Sequence, residues 1–510
     1  MSVTTAQIDL TRAPGSLELT EEAPCLHTAR PGLAPDDAER WQATIRDFYD
    51  RTGPCRREGW KYYYYERIKK RLAGIVEPGS RVLDIGCGDG GLLASLKPAV
   101  GVGIDLSGRS IAEARKRHPQ LRFSQMRGED LRRFGDTFDY VIIFQTLGEI
   151  YDLRTLLESL QSVCHARTRL LIVHYSRVWQ PILKLMEWLR IKRPAPEQNW
   201  LPTDELAHLL SLGGFETVDV VGLTIAPAYI PLVSGFLNRV VANLPGIHHF
   251  ALNFITVARS VRREVLARNE PRSVSIVVPA RNESGHIKPL LDRIPEFAPK
   301  QEVIFVEGNS TDDTWDTIQE VSADYDGPLT VKCVQQNGGG KGDAVRKGFA
   351  LASGDVLMIL DADLSVPPEE LPGFYQALVS GRGEFINGSR MVYLMDRRAM
   401  RFLNLLGNKL FGWLFTYLLS QRFRDTLCGT KVLKRVDYER IAANRSYFGD
   451  FDPFGDFDLL FGAARLNLKI IDMPVHYKAR TYGETNISRF RHGWTLLRMC
   501  VFAARRIKFI

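Results

Sequence analysis

The sequence predicts an α/β protein with two domains, each built on a mostly parallel sheet, and three observations lead to this fold class. The chain has 510 residues, too many for one typical hydrophobic core. Its 45% hydrophobic and 25% charged residues are ordinary for a globular protein. Short apolar segments alternate with helical ones in two separate series, and this rhythm favours parallel strands with helices on both faces of the sheet.

The first series starts with a helical opening at 41–72, followed by a Pro-Gly turn at 78–79. Apolar segments of strand length then alternate with segments of helical periodicity. The predicted strands are 81–85, 100–105, 140–145 and 170–174, and the predicted helices are 92–96, 110–118 and 153–164. These elements predict a first parallel sheet.

A second series of predicted strands comprises 274–278, 303–306, 329–334 and 356–360. The charged stretch 259–272 separates the two series and is typical of a linker. The first residues are polar and rich in Thr, Ala and Pro, as in a loose tail. We therefore expect a flexible tail at 1–40, a first domain at 41–262, a linker at 263–272 and a second domain at 273–510.

The formal net charge of +8 suits an anionic partner, such as a nucleotide diphosphate, a phosphorylated lipid, a membrane surface or nucleic acid. A basic soluble enzyme fits the charge equally well. The seven cysteines include no Cys-x-x-Cys pair, which favours a reducing cytoplasm over a disulfide framework. The sequence shows neither a signal-peptide pattern nor a run of about 18 apolar residues, so we expect a cytoplasmic protein that does not span a membrane.

Four chemical signals follow the predicted strands of the second series. The turn 279–283 and the loop 307–314 supply polar side chains where parallel strands end, which is the edge at which α/β sheets bind ligands. The glycine-rich loop 337–342 contains Lys341 ahead of a helix predicted at 343–352, and such loops let backbone amides approach phosphate. Its spacing differs from the Walker pattern, which argues against an ATPase.

The fourth signal is a pair of carboxylates, Asp361 and Asp363, at the end of a buried strand. Two acids this close repel each other unless a cation lies between or beside them. We expect a Mg²⁺ or Mn²⁺ ion here, bridging a diphosphate leaving group. A helix cap is the structural alternative for either aspartate.

With these motifs the segment 273–510 resembles a family 2 glycosyltransferase of the GT-A fold, similar to the dolichyl- and polyprenyl-phosphate sugar synthases. The resemblance covers nearly the whole half of the chain. It rests on the four signals and on further motifs at 387–390, 425–429, 456–458 and 480–483. It implies a nucleotide-diphosphate sugar donor and a transfer that inverts the anomeric centre.

The resemblance also implies roles for single residues. Glu283 and Glu307 would hold the nucleoside of the donor. Asp361 and Asp363 would organise the metal ion and the diphosphate. The other donor-site residues that it implies are Pro279, Asp312, Lys341 and Arg390.

Two departures from the family pattern bear on the nucleotide and on the acceptor, a polyprenyl phosphate or a glycan. Gly308 stands where the family has a second aspartate, so no base preference follows. Asn486 stands where a lysine would meet an acceptor phosphate. A phosphate acceptor then needs arginines for charge neutralisation, whereas a sugar hydroxyl needs a general base. The candidates are Arg390, Arg480, Arg489 and Arg491 for the phosphate and Asp456 or Asp458 for the base.

Two segments of the second half are predicted to form amphipathic helices, 402–419 and the tail 491–510. The tail has five basic residues and no acid, interleaved with apolar side chains such as Trp494 and Leu497. This pattern suits an anionic membrane surface. A packed terminal helix with a solvated basic face is the alternative. We expect peripheral contact with the inner face of the membrane.

In the first half, residues 82–91 are a predicted strand that runs into a glycine turn, and Asp105 ends the next strand. An acid at that distance from the glycines can bind both hydroxyls of a ribose. Gly86, Gly88 and Gly91 also fit the NAD fingerprint, but a lone match is weak and no hydride-transfer residues accompany it. Asp84, just before the glycines, favours a cationic cofactor.

These features, with Asp130 and Asp139, resemble the class I S-adenosylmethionine-dependent methyltransferases, which have a Rossmann-like sheet. The MetW-type proteins are the most similar group, through 144–147 and 200–204, and the resemblance spans about 60–215. It implies S-adenosylmethionine as the cofactor. The cofactor-binding residues that we predict are Asp84, Gly86, Gly88, Gly90, Asp105 and Asp130.

The methyl acceptor does not follow from the sequence. The tyrosine run 62–65, His174 and Tyr175 line either a substrate pocket or the core face of a helix. Our leading interpretation is a bifunctional enzyme that transfers both sugar and methyl groups. The alternatives are a glycosyltransferase with a non-catalytic, cofactor-sensing first domain and a basic scaffold at a membrane surface. The chain lacks a recognition helix and an aromatic RNA-binding strand, so we expect no nucleic-acid partner.

Overall fold

The computed structural model describes residues 35–53, 60–190, 196, 198–261, 272–392, 402–444, 455–478 and 489–508. They belong to two compact units, Met1–Leu266 and Ala267–Ile510. These are called the N-terminal and the C-terminal unit below. The predicted tail as far as residue 34 and the predicted linker as far as residue 271 lie outside the described residues.

The N-terminal unit is built on a seven-stranded sheet in the order β3-β2-β1-β4-β5-β7-β6. Strands β1 to β5 run parallel, and β7 pairs antiparallel with both β5 and β6. The strands are β1 (Arg81–Ile85), β2 (Val100–Asp105), β3 (Arg122–Gln125), β4 (Phe138–Phe144), β5 (Cys164–Tyr175), β6 (Phe215–Gly222) and β7 (Asn253–Ser260).

Helices cover both faces of this sheet. Alternate strand residues enter two separate hydrophobic clusters, so that Leu83 and Ile85 belong to one cluster and Val82 to the other. This period of two is what a strand buried on both faces requires. The helices are α1 (Pro35–Thr52), α2 (Trp60–Ile75), α3 (Gly91–Ser95), α4 (Gly108–Arg117), α5 (Leu153–Leu160), α6 (Gln180–Trp188), α7 (Thr203–Leu212) and α8 (Val233–Arg239).

The C-terminal unit has its own seven-stranded sheet, in the order β10-β9-β8-β11-β13-β12-β14. Strands β8 to β11 run parallel, and β13 is antiparallel to its neighbours β11 and β12. The strands are β8 (Val274–Ala280), β9 (Gln301–Glu307), β10 (Thr330–Gln335), β11 (Val356–Ile359), β12 (Phe385–Ser389), β13 (Lys431–Lys434) and β14 (Ile470–Pro474).

Two hydrophobic clusters again lie on opposite faces of this sheet. Val277 and Ile359 enter one of them, and Ile276 and Met358 enter the other. The helices are α9 (Ser284–Arg293), α10 (Thr314–Ala323), α11 (Gly340–Leu351), α12 (Leu371–Val379), α13 (Phe402–Leu419), α14 (Arg435–Ala443), α15 (Gly455–Arg465) and α16 (Arg489–Ala503), the last continued by a π-helical turn at Ala504–Lys508. Among the described helices, none is long and apolar enough to cross a bilayer.

The structure confirms the predicted fold class of two α/β sheets, with differences in detail. Each sheet contains an antiparallel strand that the sequence pattern does not reveal, because buried strands of either direction are equally apolar. The helical opening is divided into α1 and α2, and α1 is followed by Gly53 at a φ of 69°. The helix predicted at 343–352 begins earlier, at Gly340, so Lys341 lies in its first turn.

Candidate functional site

The N-terminal unit has a glycine turn where β1 ends, at the place where the strand order changes direction. Ligands of open α/β sheets bind at such a switch point, beyond the carboxyl ends of the strands. Gly86, Gly88 and Gly90 all have positive φ, between 54° and 75°. A Cβ on Gly86 would overlap the side chain of Thr146, whereas Gly88 has open space beside it. The turn therefore needs glycine for its backbone conformation and, at Gly86, for close packing.

Asp105 ends β2 and fixes the glycine turn. Its carboxylate accepts hydrogen bonds from the amides of Gly88 and Ser107, each at 2.9 Å. Burial raises the pKa of Asp105, and these backbone hydrogen bonds oppose that shift. The side chain thus lies at the strand end, as predicted, and faces a cavity.

The cavity has a volume of about 330 Å³, and its lining includes Asp84, Gly86, Gly88 and Asp105. The structure thus brings together four of the six predicted cofactor residues. Gly90 lies outside the lining, with the ring of Phe123 against it.

Asp130, the sixth predicted residue, is also absent from the described lining. Its carboxylate is held by Arg127 through hydrogen bonds of 2.8 and 3.1 Å. The preceding residue, Glu129, lines the cavity instead. Burial raises the pKa of Glu129. The acidic side chain of this motif that lines the cavity is therefore Glu129, one residue before the predicted Asp130.

Helix α1 forms one wall of the cavity through its apolar side, including Ile45, Phe48 and Tyr49. Asp50 fixes the end of the helix, since its carboxylate accepts a hydrogen bond of 2.6 Å from the hydroxyl of Ser107. Trp41 donates to the carbonyl oxygen of Glu149 at 2.8 Å. The sequence motifs did not indicate this wall, although the apolar periodicity of 41–52 was visible.

Glu149 is a buried cavity residue that sequence reasoning missed. The Tyr49 hydroxyl donates to its carboxylate at 2.6 Å. Burial raises its pKa to about 7, the hydrogen bond from Tyr49 opposes the shift, and the charge of Asp105 adds to it. Among the described side chains, no Lys or Arg forms an ion pair with it. Glu149 can therefore exchange a proton near neutral pH.

The other end of the cavity is lined by aromatic and aliphatic side chains. Of the predicted aromatics, Tyr64, Tyr65 and Tyr175 line it. Gln145 donates a hydrogen bond to the hydroxyl of Tyr64. His174 is buried outside the described lining, and burial lowers its pKa to about 4. The substrate-pocket interpretation thus fits these tyrosines, and His174 is a packing residue.

The donor site predicted for the C-terminal unit lies where β9, β8 and β11 end, three strands that are neighbours in the sheet. The turn 279–283 and the loop 307–314 interlock there. Asn282 donates from its amide to the Ser310 hydroxyl at 3.0 Å and accepts from the Thr311 amide at 2.8 Å. Asn282 has a φ of 55°, a conformation that asparagine adopts more readily than most residues.

The two predicted nucleoside-binding acids, Glu283 and Glu307, are both buried at this edge. Glu283 lies 2.8 Å from Nδ1 of His286, one turn along α9. Glu307 accepts from the Ser310 amide at 2.5 Å and from Gln335 at 3.2 Å. The structure therefore holds both carboxylates in fixed positions.

Asp312 and Pro279 have mainly structural surroundings. The Asp312 carboxylate accepts from the amide and the hydroxyl of Thr314, at 3.1 and 2.5 Å, and so orders the start of α10. Pro279 pairs with Val306 across the β8–β9 ladder. Both lie in the predicted segments, and the donor-binding role given to them stays a prediction.

Asp361 and Lys341 meet at the centre of this edge, with 2.5 Å between Oδ1 and Nζ. Gly429 abuts the pair, because a Cβ there would overlap both the carboxylate and the ammonium. Asp363 is buried, and its Oδ1 accepts from the Ser365 amide at 3.0 Å. Lys341 and Gly429, which are distant from each other in sequence, thus enclose the carboxylate of Asp361.

The residues present fit a hard divalent cation. Carboxylate oxygens are the ligands that Mg²⁺ and Mn²⁺ prefer, and Mg²⁺ is usually held by one or two carboxylates together with substrate phosphates and waters. Asp361 and Asp363 supply such a pair. Within the described ranges, no group of three or more acidic, His or Cys residues forms a complete protein cage. The site therefore suits a metal ion that arrives with a diphosphate.

Arg390, predicted to bind the donor, forms a buried pair with Asp425. Its Nε and Nη2 donate to the two carboxylate oxygens at 2.6 and 2.9 Å, and its amide adds a third bond at 3.0 Å. Asn408 of α13 donates to the same carboxylate at 2.8 Å. Burial acts to raise the pKa of Asp425, but Arg390 outweighs it and holds that pKa below its usual range.

The predicted catalytic residues are placed only in part. Asp458 is buried within α15. The side chain of Asp456, the whole of Arg480, and the side chains of Arg489 and Arg491 lie outside the described residues. His286, Asn408 and Gln335 complete the site, and sequence motifs had not singled them out. Gln335 and Asn408 contact carboxylates that are 28 and 17 residues away, whereas His286 contacts Glu283 only three residues away.

Comparison with known proteins identifies both halves. Residues 57–220 match the model of a methyltransferase domain, and residues 275–438 match the model of glycosyl transferase family 2. The chain therefore carries a methyltransferase domain and a family 2 glycosyltransferase domain, which confirms the two resemblances at the level of these families and the prediction of a transferase.

Individual relatives match this chain over only part of their own length. The dolichol-phosphate mannosyltransferase of Pyrococcus furiosus is 36% identical over 121 residues, which are 23% of this chain and 33% of the relative. The undecaprenyl-phosphate 4-deoxy-4-formamido-L-arabinose transferase of Pseudomonas fluorescens is 29% identical over 224 residues, 43% of this chain and 61% of the relative. Among solved structures, magnesium protoporphyrin IX methyltransferase of Synechocystis aligns with 43% of this chain and 99% of its own, at 17% identity and a TM-score of 0.31.

Proposed function

We propose that this chain, with its methyltransferase and family 2 glycosyltransferase domains, is a bifunctional enzyme. Its C-terminal unit would transfer a sugar from a nucleotide-diphosphate donor to a lipid phosphate. Its N-terminal unit would transfer a methyl group from S-adenosylmethionine to a second acceptor. The observation that supports the sugar transfer most directly is the enclosure of Asp361 by Lys341 and Gly429, beside Asp363 and the two buried glutamates.

The donor would bind across the ends of β9, β8 and β11. Glu283 and Glu307 are held by hydrogen bonds from fixed partners, and because a carboxylate oxygen can accept more than one hydrogen bond, both would also accept from a ribose or base. A bound Mg²⁺ or Mn²⁺ would neutralise the charge that develops on the diphosphate as the sugar leaves. Lys341 adds a second cation in the first turn of α11, where helix amides also favour an anion. These groups together would stabilise the departing nucleotide diphosphate.

The lipid-phosphate acceptor is supported by the relatives. Their names describe transfer to dolichol phosphate and undecaprenyl phosphate, and the chain aligns with 33% and 61% of their lengths. A phosphate is already an anion and needs positioning and charge neutralisation more than a general base. Arg480, Arg489 and Arg491 would supply cations. If the acceptor were a hydroxyl instead, Asp456 or Asp458 would have to take its proton.

A membrane-surface location follows from a lipid acceptor. Helices α13 and α16 expose Trp413, Leu410, Trp494 and Val501, and they contact each other. Basic side chains follow in the last turns, including Arg505 and Arg506. Apolar and basic residues on the same helices suit the surface of an anionic bilayer. The C-terminal unit would thus reach its acceptor at the inner face of the membrane.

The methyltransferase proposal rests on the charge of the cavity. Its described lining contains five acids, Asp84, Asp89, Asp105, Glu129 and Glu149, and no Lys, Arg or His. S-Adenosylmethionine has a sulfonium and an ammonium group, so this lining fits it. The pyrophosphate of NAD would instead meet carboxylates, of which Asp89 pairs with Arg117 behind the lining, and no cation of the described lining itself. The cofactor would supply an electrophilic methyl group, and the chain's own residues would orient it and take up the acceptor's proton, a role that we assign to the cavity residue Glu149.

The sugar transfer is tested with the full chain, labelled nucleotide sugars, Mn²⁺ and polyprenyl phosphate. We expect Asp361→Asn to lower product formation at least about 100-fold, because the metal and diphosphate lose a charged ligand. Asp326→Asn, an exposed acid of the same unit, serves as the matched control and should behave as the unmodified chain. Equal rates for Asp361→Asn and the control would exclude the proposed donor site.

The methyl transfer is tested separately by calorimetry and by labelled S-adenosylmethionine. Asp105→Ala should abolish cofactor binding, because the carboxylate holds the Gly88 turn and lines the cavity. Sugar transfer by this variant should be unchanged if the two activities are independent. Cofactor binding that alters sugar transfer without yielding any methylated product would support the sensing function instead.

A further inference from the structure

Helix α6 of the N-terminal unit, together with the residues that flank it, has apolar side chains on two neighbouring sides, about 100° apart around the helix axis. Trp179, Leu183 and Met186 line the cavity. Val178, Ile182, Leu185 and Leu189 follow one another at spacings of four, three and four residues, and they are between 46% and 56% exposed. A helix at the surface of a soluble protein normally has one apolar stripe, which faces the core. The second stripe of α6 is therefore uncovered within the described part of the chain.

The segment 224–252 extends this surface. Its residue Phe250 accepts a hydrogen bond of 2.9 Å from the indole of Trp179, which joins the segment to α6. Its exposed apolar side chains are Tyr229, Ile230, Leu232, Val233, Phe236, Leu244 and Phe250. Leu232 is 92% exposed and Trp188 of α6 is 78% exposed. We call α6, its flanking residues 177–179 and 189–190, and the segment 224–252 the exposed apolar face.

Buried polar contacts hold this segment in place. The buried side chain of Asn238 accepts from the amides of Ile225 and Ala226, each at 2.9 Å, and donates to the Ala226 carbonyl at 2.7 Å. Ser234 donates to the carbonyl of Ala228 at 2.6 Å. A loop ordered by its own buried hydrogen bonds presents its apolar side chains outward as a built surface. Contiguous exposed surfaces of this kind mark interaction sites.

The charge around the exposed apolar face indicates what covers it. The segment 224–252 contains no acid, and 177–190 contains one, Glu187. Lys184, Arg190 and Arg239 are exposed beside the apolar side chains. Anionic lipid headgroups attract such cations, while the apolar side chains enter the boundary of the acyl region. Trp188 and Tyr229 are residue types that favour that interface.

We propose that the exposed apolar face docks on an anionic lipid bilayer and that the methyl acceptor is a molecule anchored in that bilayer. The same elements form the docking face and a wall of the cavity, because Trp179, Leu183, Pro227 and Leu252 line the cavity. An acceptor with a lipid anchor would be brought to the cavity by docking. The part concerning the acceptor rests on the proposed methyltransferase function, and the docking itself does not.

The docking is tested by hydrogen exchange of the full chain, resolved by peptide mass spectrometry, with vesicles of phosphatidylglycerol and phosphatidylcholine. Adding anionic vesicles should slow exchange in α6 and in 229–250, and vesicles of phosphatidylcholine alone should do so much less. This readout separates the face from other lipid-binding parts of the chain. Unchanged exchange in both segments would overturn the proposal, as would slowing that depends on protein concentration without vesicles, which would indicate a second copy.

Substitutions at the exposed apolar face complete the test. Leu232→Asp combined with Phe236→Asp should abolish the vesicle-induced protection and weaken binding at least about tenfold, since each side chain loses its burial in lipid. Leu212→Asp, at a leucine that is 70% exposed on α7, is the matched control and should leave protection intact. Equal losses for both would overturn the proposal. Calorimetry with S-adenosylmethionine on the same variants reports the cofactor site independently, so failure of the methyltransferase proposal appears there and not in the docking.

Discussion

The cavity of the N-terminal unit and the candidate donor site of the C-terminal unit differ in whether their acidic side chains form ion pairs. In the cavity, the buried Glu149 and the half-buried Asp105 have carboxylates that receive hydrogen bonds but no ion pair from the described residues. In the donor site, Asp361 pairs with Lys341, and nearby Asp425 pairs with Arg390. Both sites lie at the ends of parallel strands, so position alone does not explain the difference.

The charge of the ligands proposed for the two sites would account for this difference in ion pairing. The described cavity lining contains acids and no cation, which would lower the free energy of the proposed cationic cofactor, and burial raises the pKa values of Asp105 and Glu149. A site that receives a diphosphate and a metal ion needs cations and carboxylates together. With the ligands proposed above, one kind of sheet edge would be adapted to ligands of opposite charge in the two units.

The largest effect is expected from breaking the buried pair of the C-terminal unit. Asp425→Asn leaves the Arg390 guanidinium buried without its partner charge, so the free energy of unfolding should fall by about 3–5 kcal/mol. Chemical denaturation of the full chain measures this loss.

An exposed pair of the same unit provides the control. Arg293 also makes a bidentate contact with a carboxylate, that of Glu369, but the two side chains are 35% and 52% exposed. Glu369→Gln should cost no more than about 1 kcal/mol. Similar losses for both variants would show that burial does not distinguish the two pairs.

The second prediction concerns pH and the N-terminal unit. The pKa of Glu149 is raised from 4.5 to about 7 in the folded protein, so its contribution to stability is complete below pH 4.5 and is lost as the pH rises through 7. Without cofactor, the free energy of unfolding should therefore decrease by up to roughly 3 kcal/mol between pH 4.5 and 8.

Glu149→Gln removes the titrating group and keeps an acceptor for the Tyr49 hydroxyl. The variant should lack the decrease in stability over this pH range, as measured by denaturation at a series of pH values. Glu39→Gln, at an exposed position of α1, should retain the decrease. A Glu149→Gln profile parallel to that of the unmodified chain would assign the pH dependence to other groups.

The third prediction separates backbone strain from side-chain overlap in the glycine turn. Gly86 and Gly79 have similar positive φ values, 75° and 80°, but only Gly86 is packed against another side chain, that of Thr146. Gly79→Ala should cost about 1 kcal/mol, from strain alone. Gly86→Ala should cost about 2–3 kcal/mol and should also weaken binding of S-adenosylmethionine, since Gly86 lines the cavity. If Gly86→Ala and Gly79→Ala had equal effects on stability and on cofactor binding, the close packing of Gly86 against Thr146 would be contradicted.

The smallest effect tests the approach of Gly429 to the donor-site pair. Gly429→Ala should lower the affinity for a nucleotide diphosphate with Mn²⁺ about tenfold, which is about 1.4 kcal/mol, because the new methyl group displaces Asp361 or Lys341. Gly407→Ala, at a position with open space around it, is the control. Unaltered affinity for Gly429→Ala would show that the metal and diphosphate do not use this carboxylate.

The sequence alone was sufficient for the fold class, and it predicted a candidate site at the strand ends of each sheet. The buried strands are visible in the sequence as apolar segments. The polar residues at their ends form short continuous motifs, from Asp84 to Gly88 and from Asp361 to Asp363. Parallel strands place their carboxyl ends at one edge, so local motifs became a common site without further information. The two family matches agree with this result.

Only the tertiary structure decided which of these side chains are engaged elsewhere. Arg390 is held by Asp425, 35 residues away, and Glu149 is held by Tyr49, 100 residues away. Spacing along the sequence does not reveal such contacts, because they arise when separate elements pack together. Burial is likewise a property of the packed chain, and it raises the pKa of Glu149. The exposure of Leu232 and its neighbours, which defines the exposed apolar face, is also a result of packing. The sequence determined the chemical groups available, and the packing determined which of them are free to act.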